Sequence, residues 1–239
     1  MAVIVLAALV VVPAHVLVKS LGARDAVPPF FLWLVGRIAG LRVRTTGRAE
    51  PGALLLANHV SWLDILGLAG GCRARFVAHS GLAGHGGLKW LCDQNRTVFI
   101  TRDRRSSIGQ QVAQVGDAMG ERPLVIFPEA TTDNGRELRP FRSSLLAAAE
   151  PLAGKVPIQP VALEYANAPD IAWFDPAPGV SGESGMENVR RILARPGRLD
   201  LTIHFLPPLA GQALADRKTM TAAAQEAVAA KLDLPVGLQ

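Results

Sequence analysis

Two cysteines, Cys72 and Cys92, are all that this chain of 239 residues contains, too few for a disulfide framework, and both read as reduced core thiols. Aromatic side chains make up 5% of the residues and tyrosine occurs once. Without interleaved stacking rings, the net charge of +5 and the pI near 9.8 are not the signature of a nucleic-acid partner. Lysine is also scarce, confined to positions 19, 89, 155, 218 and 231, so the basicity is carried by arginine. No internal repeat or low-complexity tract breaks the chain, whose length suits one substantial core. Nor does any apolar run reach the roughly 20 residues of a perpendicular membrane span.

What is present is an apolar N-terminus. Ala2 to Val18 carries no charge and is interrupted by Pro13 and His15; Lys19 and Arg24 follow it. A cleaved secretory leader has the opposite order, positive charge first, so retention is expected. A second apolar run, Ala26 to Leu41, contains Pro28, Pro29 and Arg37. The expectation is a helical hairpin dipping into one leaflet, with Arg37 snorkelling to the head groups. A tilted span and a pair of buried core helices are the alternatives. Mean hydropathy of +0.25 combined with the high pI suits an anionic membrane surface. Lys19, Arg24 and Arg37 would place the rest of the chain on the cytoplasmic side of the inner membrane. This gives a membrane-attaching segment over 1–43 and one folded domain over 44–239.

Chemistry concentrates at Asn58-His59-Val60-Ser61-Trp62-Leu63-Asp64. Five residues of continuous α-helix turn through about 500°, so His59 and Asp64 meet only if the chain bends between them. Leu54 to Ala57 reads as a buried strand, Asn58 and His59 as the turn after it, and Ser61 as the N-cap of a helix starting near Trp62. His59 can then fold back so that Asp64 accepts its Nδ1 proton and Nε2 faces an incoming hydroxyl, the arrangement of a base and its orienter. The plainer reading makes Ser61 and Asp64 a capping pair and His59 an ordinary loop residue.

Three further segments bear on that choice: Thr97 to Arg105, a short strand running into a basic cluster; Leu124 to Thr132, a strand ending at Pro128 and presenting Glu129; and the apolar strand Val156 to Ala162. In this order and at these distances, the four segments resemble the four sequence blocks of the glycerolipid acyltransferase family, the lysophosphatidate acyltransferase type, from about Leu54 to Leu163. The resemblance implies O-acyl transfer from a thioester to a lysolipid hydroxyl, with His59 and Asp64 as the catalytic pair. It places Arg102 at the acceptor's phosphate and Glu129 in the acceptor site, and Asn58, Thr131 and Thr132 are expected to bind substrate with them.

Two departures stand in the third block, where the family usually has Phe-Pro-Glu-Gly-Thr-Arg or -Ser and this chain has Phe127-Pro128-Glu129-Ala130-Thr131-Thr132. Alanine suits the glycine position only if the turn does not demand positive φ. A hydroxyl cannot replace the bidentate charge of arginine toward phosphate, which leaves Arg102, Arg104, Arg105 or Arg136 to supply it. The expected acceptor is 1-acyl-sn-glycerol-3-phosphate, giving phosphatidic acid. Lyso-ornithine lipid is the alternative, since acyltransferases acting on it look similar over Thr131-Thr132-Asp133-Asn134-Gly135.

The chemistry calls for no metal or redox cofactor; acyl-CoA or acyl-carrier protein is the donor substrate. An acyl-enzyme is not expected, because no serine or cysteine occupies a nucleophile elbow. A hydrolase using the same pair on water and a non-catalytic membrane-surface protein are the readings from other classes. The expected scaffold is α/β, a largely parallel sheet flanked by helices. Strands are placed near Leu54, Phe76, Val98, Leu124, Ile158 and Leu201, and helical stretches at Leu63 to Leu68, Ser107 to Met119, Ser143 to Ala153 and Thr219 to Leu232. Trp90 is assigned to packing, and Asp170 to Arg195 to a long surface loop followed by a short helix.

Overall fold

The computed structural model describes residues 27–79, 86–100, 113–117, 120–132, 135–147, 149–166, 171–172 and 183–237, with Val11, Pro13, His15 and Val18. Seven strands form one sheet: β1 (Leu41–Thr46), β2 (Leu54–Ala57), β3 (Arg75–His79), β4 (Val98–Ile100), β5 (Leu124–Ile126), β6 (Ile158–Tyr165) and β7 (Leu199–Phe205). Their spatial order is β1-β7-β6-β2-β5-β3-β4. All neighbours are parallel except β6 and β7. The carboxyl ends of β2, β5 and β6 therefore share one sheet edge with the amino ends of β1 and β7.

Side chains of β2 alternate between two cores, as strand geometry requires. Leu55 and Ala57 join the core under α1 (Val27–Ile38), α2 (Leu63–Cys72) and α4 (Gly185–Ala194). Leu54 and Leu56 join the opposite core, closed by Met220, Ala224 and Val228 of α5 (Arg217–Leu232). All four β2 residues are fully buried, which is why this strand reads as a continuous apolar run instead of an alternating one. Helix α2 sits unusually close to the sheet. A Cβ on Gly67 would lie 2.3 Å from Leu201 Cδ2 and one on Gly71 2.9 Å from Ile203 Cδ1. That close packing seats the middle and end of α2 on β7.

The α/β class, the parallel character and the six expected strands are observed. Strand β1 was not expected: it alternates Leu41, Val43 and Thr45 with Arg42, Arg44 and Thr46, but adjoins an apolar helix that hides its start. The expected division between residues 43 and 44 falls inside it. Ser143 to Ala153 is not an α-helix but two 3-10 turns, Ser143–Leu146 and Glu150–Leu152. Pro151 stops an α-helix there, and the three-residue spacing that buries Leu146 and Ala149 suits the tighter turn. Trp90, on α3 (Gly86–Gln94), is not a core residue: it is 42% exposed, because α3 flanks the β3–β4 end of the sheet. Of the helix expected over Ser107 to Met119, residues 113–117 are helical and the remainder lies outside the described residues. Most of the first apolar run and most of the loop before α4 lie outside them too. Among the described residues, no helix is long and apolar enough to cross a membrane. Cys72 and Cys92 are free thiols; burial pushes the Cys72 thiol up to about 12, so it remains protonated and inert near neutral pH.

Candidate active site

The site forms where β2 ends. Asn58 is buried, and its side chain donates to Leu163 O (3.1 Å) and accepts from Leu163 N (2.7 Å), locking the loop to β6. Both ends of its amide are spent on backbone, so it positions the loop instead of offering itself to substrate. His59 follows. Its backbone N–H donates to Glu129 Oε1 at 2.7 Å, and its ring stacks on Phe127 with centroids 4.0 Å apart.

The next turn brings Asp64 back under the histidine. Asp64 is fully buried, and its Oδ2 accepts from His59 Nδ1 (2.8 Å), Val60 N (2.7 Å) and Ser61 N (3.0 Å). Its Oδ1 accepts from the Tyr165 hydroxyl at 2.6 Å. Only an ionised carboxylate offers acceptors on both oxygens to this many donors. The histidine therefore joins as a donor through Nδ1, and in the neutral imidazole this tautomer makes Nε2 the acceptor. Burial, and secondarily the Asp64 charge, raise the Tyr165 hydroxyl well above the usual phenol range, so it stays a donor. Tyr165 is the single tyrosine of the chain; that singularity at the end of an apolar strand was the only sequence signal for it.

The expected cap is corrected. Helix α2 begins at Leu63 with Trp62 as N-cap and no side-chain capping bond, while the Ser61 hydroxyl lies 3.5 Å from Leu63 N. Asp64 reaches back to the Ser61 amide, half of a capping box, with the same oxygen that holds His59. The catalytic and the capping readings are thus one structure. Trp62 Nε1 donates to Asn188 Oδ1 (3.0 Å), tying this corner to α4.

Glu129 is presented by a turn in which Ala130 N donates to Phe127 O at 3.1 Å. Its carboxylate is 2% exposed, holding the His59 amide through Oε1 and the Arg139 amide through Oε2 (3.3 Å). Ala130 has φ +69°, so the turn does demand the left-handed region and the alanine bears a steric penalty. Ala130→Gly should relieve that penalty, offset in part by the freer unfolded chain. The expected gain is about 0.5–1 kcal/mol, or about 1–4 °C in Tm. A melting curve checks it; an unchanged or lower Tm would show that the turn bears no strain.

An open cleft of about 600 Å³ borders Asn58, His59, Glu129 and Tyr165, with Glu137 and Glu164 on its walls and Leu232 and Leu234 closing one side. Thr131 and Thr132, expected to bind substrate, are not on its lining, and Thr132 is buried. Arg102 lies outside the described residues, as do Arg104 and Arg105. The structure thus brings His59, Asp64, Asn58 and Glu129 together, adds Phe127 and Tyr165, and sets Thr131 and Thr132 off the cleft.

A buried carboxylate holding an imidazole whose second nitrogen is free for a hydroxyl is a general-base arrangement. Comparison with known proteins supplies the family. The Acyltransferase family profile matches residues 40–164, which contain both members of the pair. A lyso-ornithine lipid O-acyltransferase of Brucella abortus is 31% identical over 88% of this chain and 83% of its own length. A 1-acyl-sn-glycerol-3-phosphate acyltransferase of Neisseria gonorrhoeae is 34% identical over 53% of this chain and 49% of its own. The fold is shared with the crystal structure of the 1-acyl-sn-glycerophosphate (LPA) acyltransferase PlsC from Thermotoga maritima, with a TM-score of 0.58 at 18% identity over 88% of this chain and 81% of that one. By the family profile and by its relatives, this chain belongs to the acyltransferase family.

Proposed function

We propose that this enzyme acylates the free hydroxyl of a lysolipid from an acyl thioester, with His59 as general base and Asp64 as its orienter. The 2.8 Å contact between His59 Nδ1 and Asp64 Oδ2, beside an open cleft, carries this reading. The acceptor O–H gives its proton to Nε2 as its oxygen attacks the thioester carbonyl carbon. The tetrahedral intermediate then expels the carrier's thiolate, which takes the proton from the imidazolium, and Asp64 stabilises that cation while it lasts. Atoms balance with no metal or redox partner, and acyl-CoA or acyl-carrier protein supplies the thioester. Direct attack is favoured over an acyl-enzyme because Ser61, the hydroxyl nearest the pair in sequence, is fully buried.

For the acceptor, lyso-ornithine lipid is favoured over lysophosphatidic acid. The relative matched over nearly its whole length is a lyso-ornithine lipid acyltransferase, whereas the glycerol-phosphate relative matches over half. The described lining of the cleft includes Glu129, Glu137 and Glu164 and no arginine or lysine. Such walls attract the ammonium of ornithine and repel a phosphate. With acyl-CoA and both lysolipids offered to purified enzyme, kcat/KM should favour lyso-ornithine lipid by about tenfold or more. A preference for lysophosphatidic acid would reverse the acceptor assignment and leave the dyad untouched.

The segment ahead of β1 is proposed to rest in one leaflet of the inner membrane, with the sheet domain on the cytoplasmic face. Phe30 and Trp33, 52% and 41% exposed on α1, support this attachment, as aromatic rings favour the membrane interface.

A further inference from the structure

Far from the dyad along the same sheet edge, the chain folds a second polar pocket. Gly40, at φ +86°, turns α1 into β1, and Gly197, at φ +91°, precedes β7. Leu199 N donates to Gly40 O at 2.9 Å, which holds the two turns side by side. Arg37 from the last turn of α1, Arg42 from β1 and Arg198 from the second turn thereby surround a pocket of about 450 Å³, completed by Gly40 and Leu41. Among the described residues no carboxylate lines it; the nearest acid in the strand register is Asp200, opposite Arg42. Among the described residues, none of the three guanidinium groups is in a hydrogen bond or ion pair. Three like charges around one pocket repel until an anion enters it.

We propose that Arg37, Arg42 and Arg198 bind the phosphate of an anionic membrane lipid, fixing how the catalytic edge meets the bilayer. Guanidinium forks match phosphate oxygens in geometry and charge. The source of the phosphate follows from α1: Phe30, Trp33 and Arg37 recur at helical spacing, share one face and are all exposed. Along the helix axis Arg37 stands about 6 Å beyond Trp33 and about 10 Å beyond Phe30. With both rings in the interfacial layer, the long Arg37 side chain on the same face reaches the level of the phosphates. Because β6 and β7 are antiparallel, this pocket opens on the edge that carries His59 and Tyr165. Strand β1 lies three strands from β2, about 14 Å at ordinary strand spacing. A lipid phosphate held here would therefore bring the dyad against the surface from which a lysolipid enters. The proposal rests on the lysolipid reading only for that consequence; the phosphate site stands without it.

The experiment compares full-length wild type with Arg37→Gln/Arg42→Gln/Arg198→Gln. It reads binding to vesicles of phosphatidylcholine alone and of phosphatidylcholine with phosphatidylglycerol, and acyl transfer in neutral detergent micelles. The variant should lose about 100-fold in affinity for the phosphatidylglycerol vesicles at low salt and keep its phosphatidylcholine binding and micellar activity. A variant of equal net charge, Arg48→Gln/Lys155→Gln/Lys218→Gln, should keep most of its phosphatidylglycerol binding. Equal losses in both variants would reduce the pocket to general electrostatics and overturn the site. Unchanged vesicle binding with a raised KM for acyl-CoA would assign the arginines to the donor's phosphates and overturn the lipid assignment. If even wild type transfers no acyl group in micelles, the reaction reading fails while the vesicle comparison still decides the pocket.

Discussion

His59→Ala is expected to lower kcat for acyl transfer by about 10³- to 10⁴-fold, with the KM values for thioester and lysolipid nearly unchanged. An alcohol is a poor nucleophile near neutral pH, and removing the base leaves its proton with no acceptor in the transition state. Binding should survive because His59 is one lining residue among several, others coming from β6, residues 135–138, Glu129 and the end of α5 with Leu234. Folding should survive as well. The His59 side chain is 17% exposed and its buried bond is to Asp64, which retains donors in Val60, Ser61 and Tyr165. The loss of the stacking contact with Phe127 should cost about 1 kcal/mol. Steady-state kinetics beside a melting curve separate these effects. A variant with unchanged kcat would remove His59 from the chemistry.

Asp64→Asn should be more damaging to the protein as a whole. The carboxylate accepts four hydrogen bonds from four different groups, and an amide in its place has one acceptor oxygen and two N–H donors of its own. If the amide nitrogen faces the imidazole, Nδ1 must become the acceptor and Nε2 carries the proton, so the base is lost. If it faces Tyr165, a buried hydroxyl loses its partner. Either orientation leaves donors opposed in a dry site, at about 1–3 kcal/mol for each unsatisfied group. The expected result is a fall in kcat of about 10²- to 10⁴-fold together with a fall in stability of about 2–4 kcal/mol. The alanine variant at His59 should show the first of these with a stability loss of only about 1 kcal/mol. Wild-type kcat at a lowered Tm would leave Asp64 as a structural cap alone.

Much of this was legible before the structure, for reasons particular residues make plain. Leu54 to Ala57 could be read as a buried strand because both faces of β2 are covered, and His59 and Asp64 could be paired because a turn had to separate strand from helix. Strand β1 was hidden by the apolar run that it continues, even though its own alternation is regular. Thr131 and Thr132 were expected to bind substrate as part of the same block as Glu129, yet the left-handed step at Ala130 redirects the chain before it reaches them. Tyr165 was unreadable for a different cause. Its partner lies 101 residues earlier, and only the pairing of β2 with β6 brings the two together. Asn58 shows the same limit: a polar residue beside a catalytic histidine invites a substrate role, but Leu163 of the neighbouring strand occupies both ends of its amide.

The most direct test of a dyad that activates a lipid hydroxyl is the dependence of thiol release on that hydroxyl. Purified wild type and His59→Ala would be given acyl-CoA, and in a parallel series acyl-carrier protein, with and without lyso-ornithine lipid. Free thiol and esterified lipid would be followed together. Release should require the lysolipid, match ester formation one for one, and vanish in the variant. Thiol released at the same rate without lysolipid would make this protein a thioester hydrolase, and release that persists in His59→Ala would contradict the dyad itself.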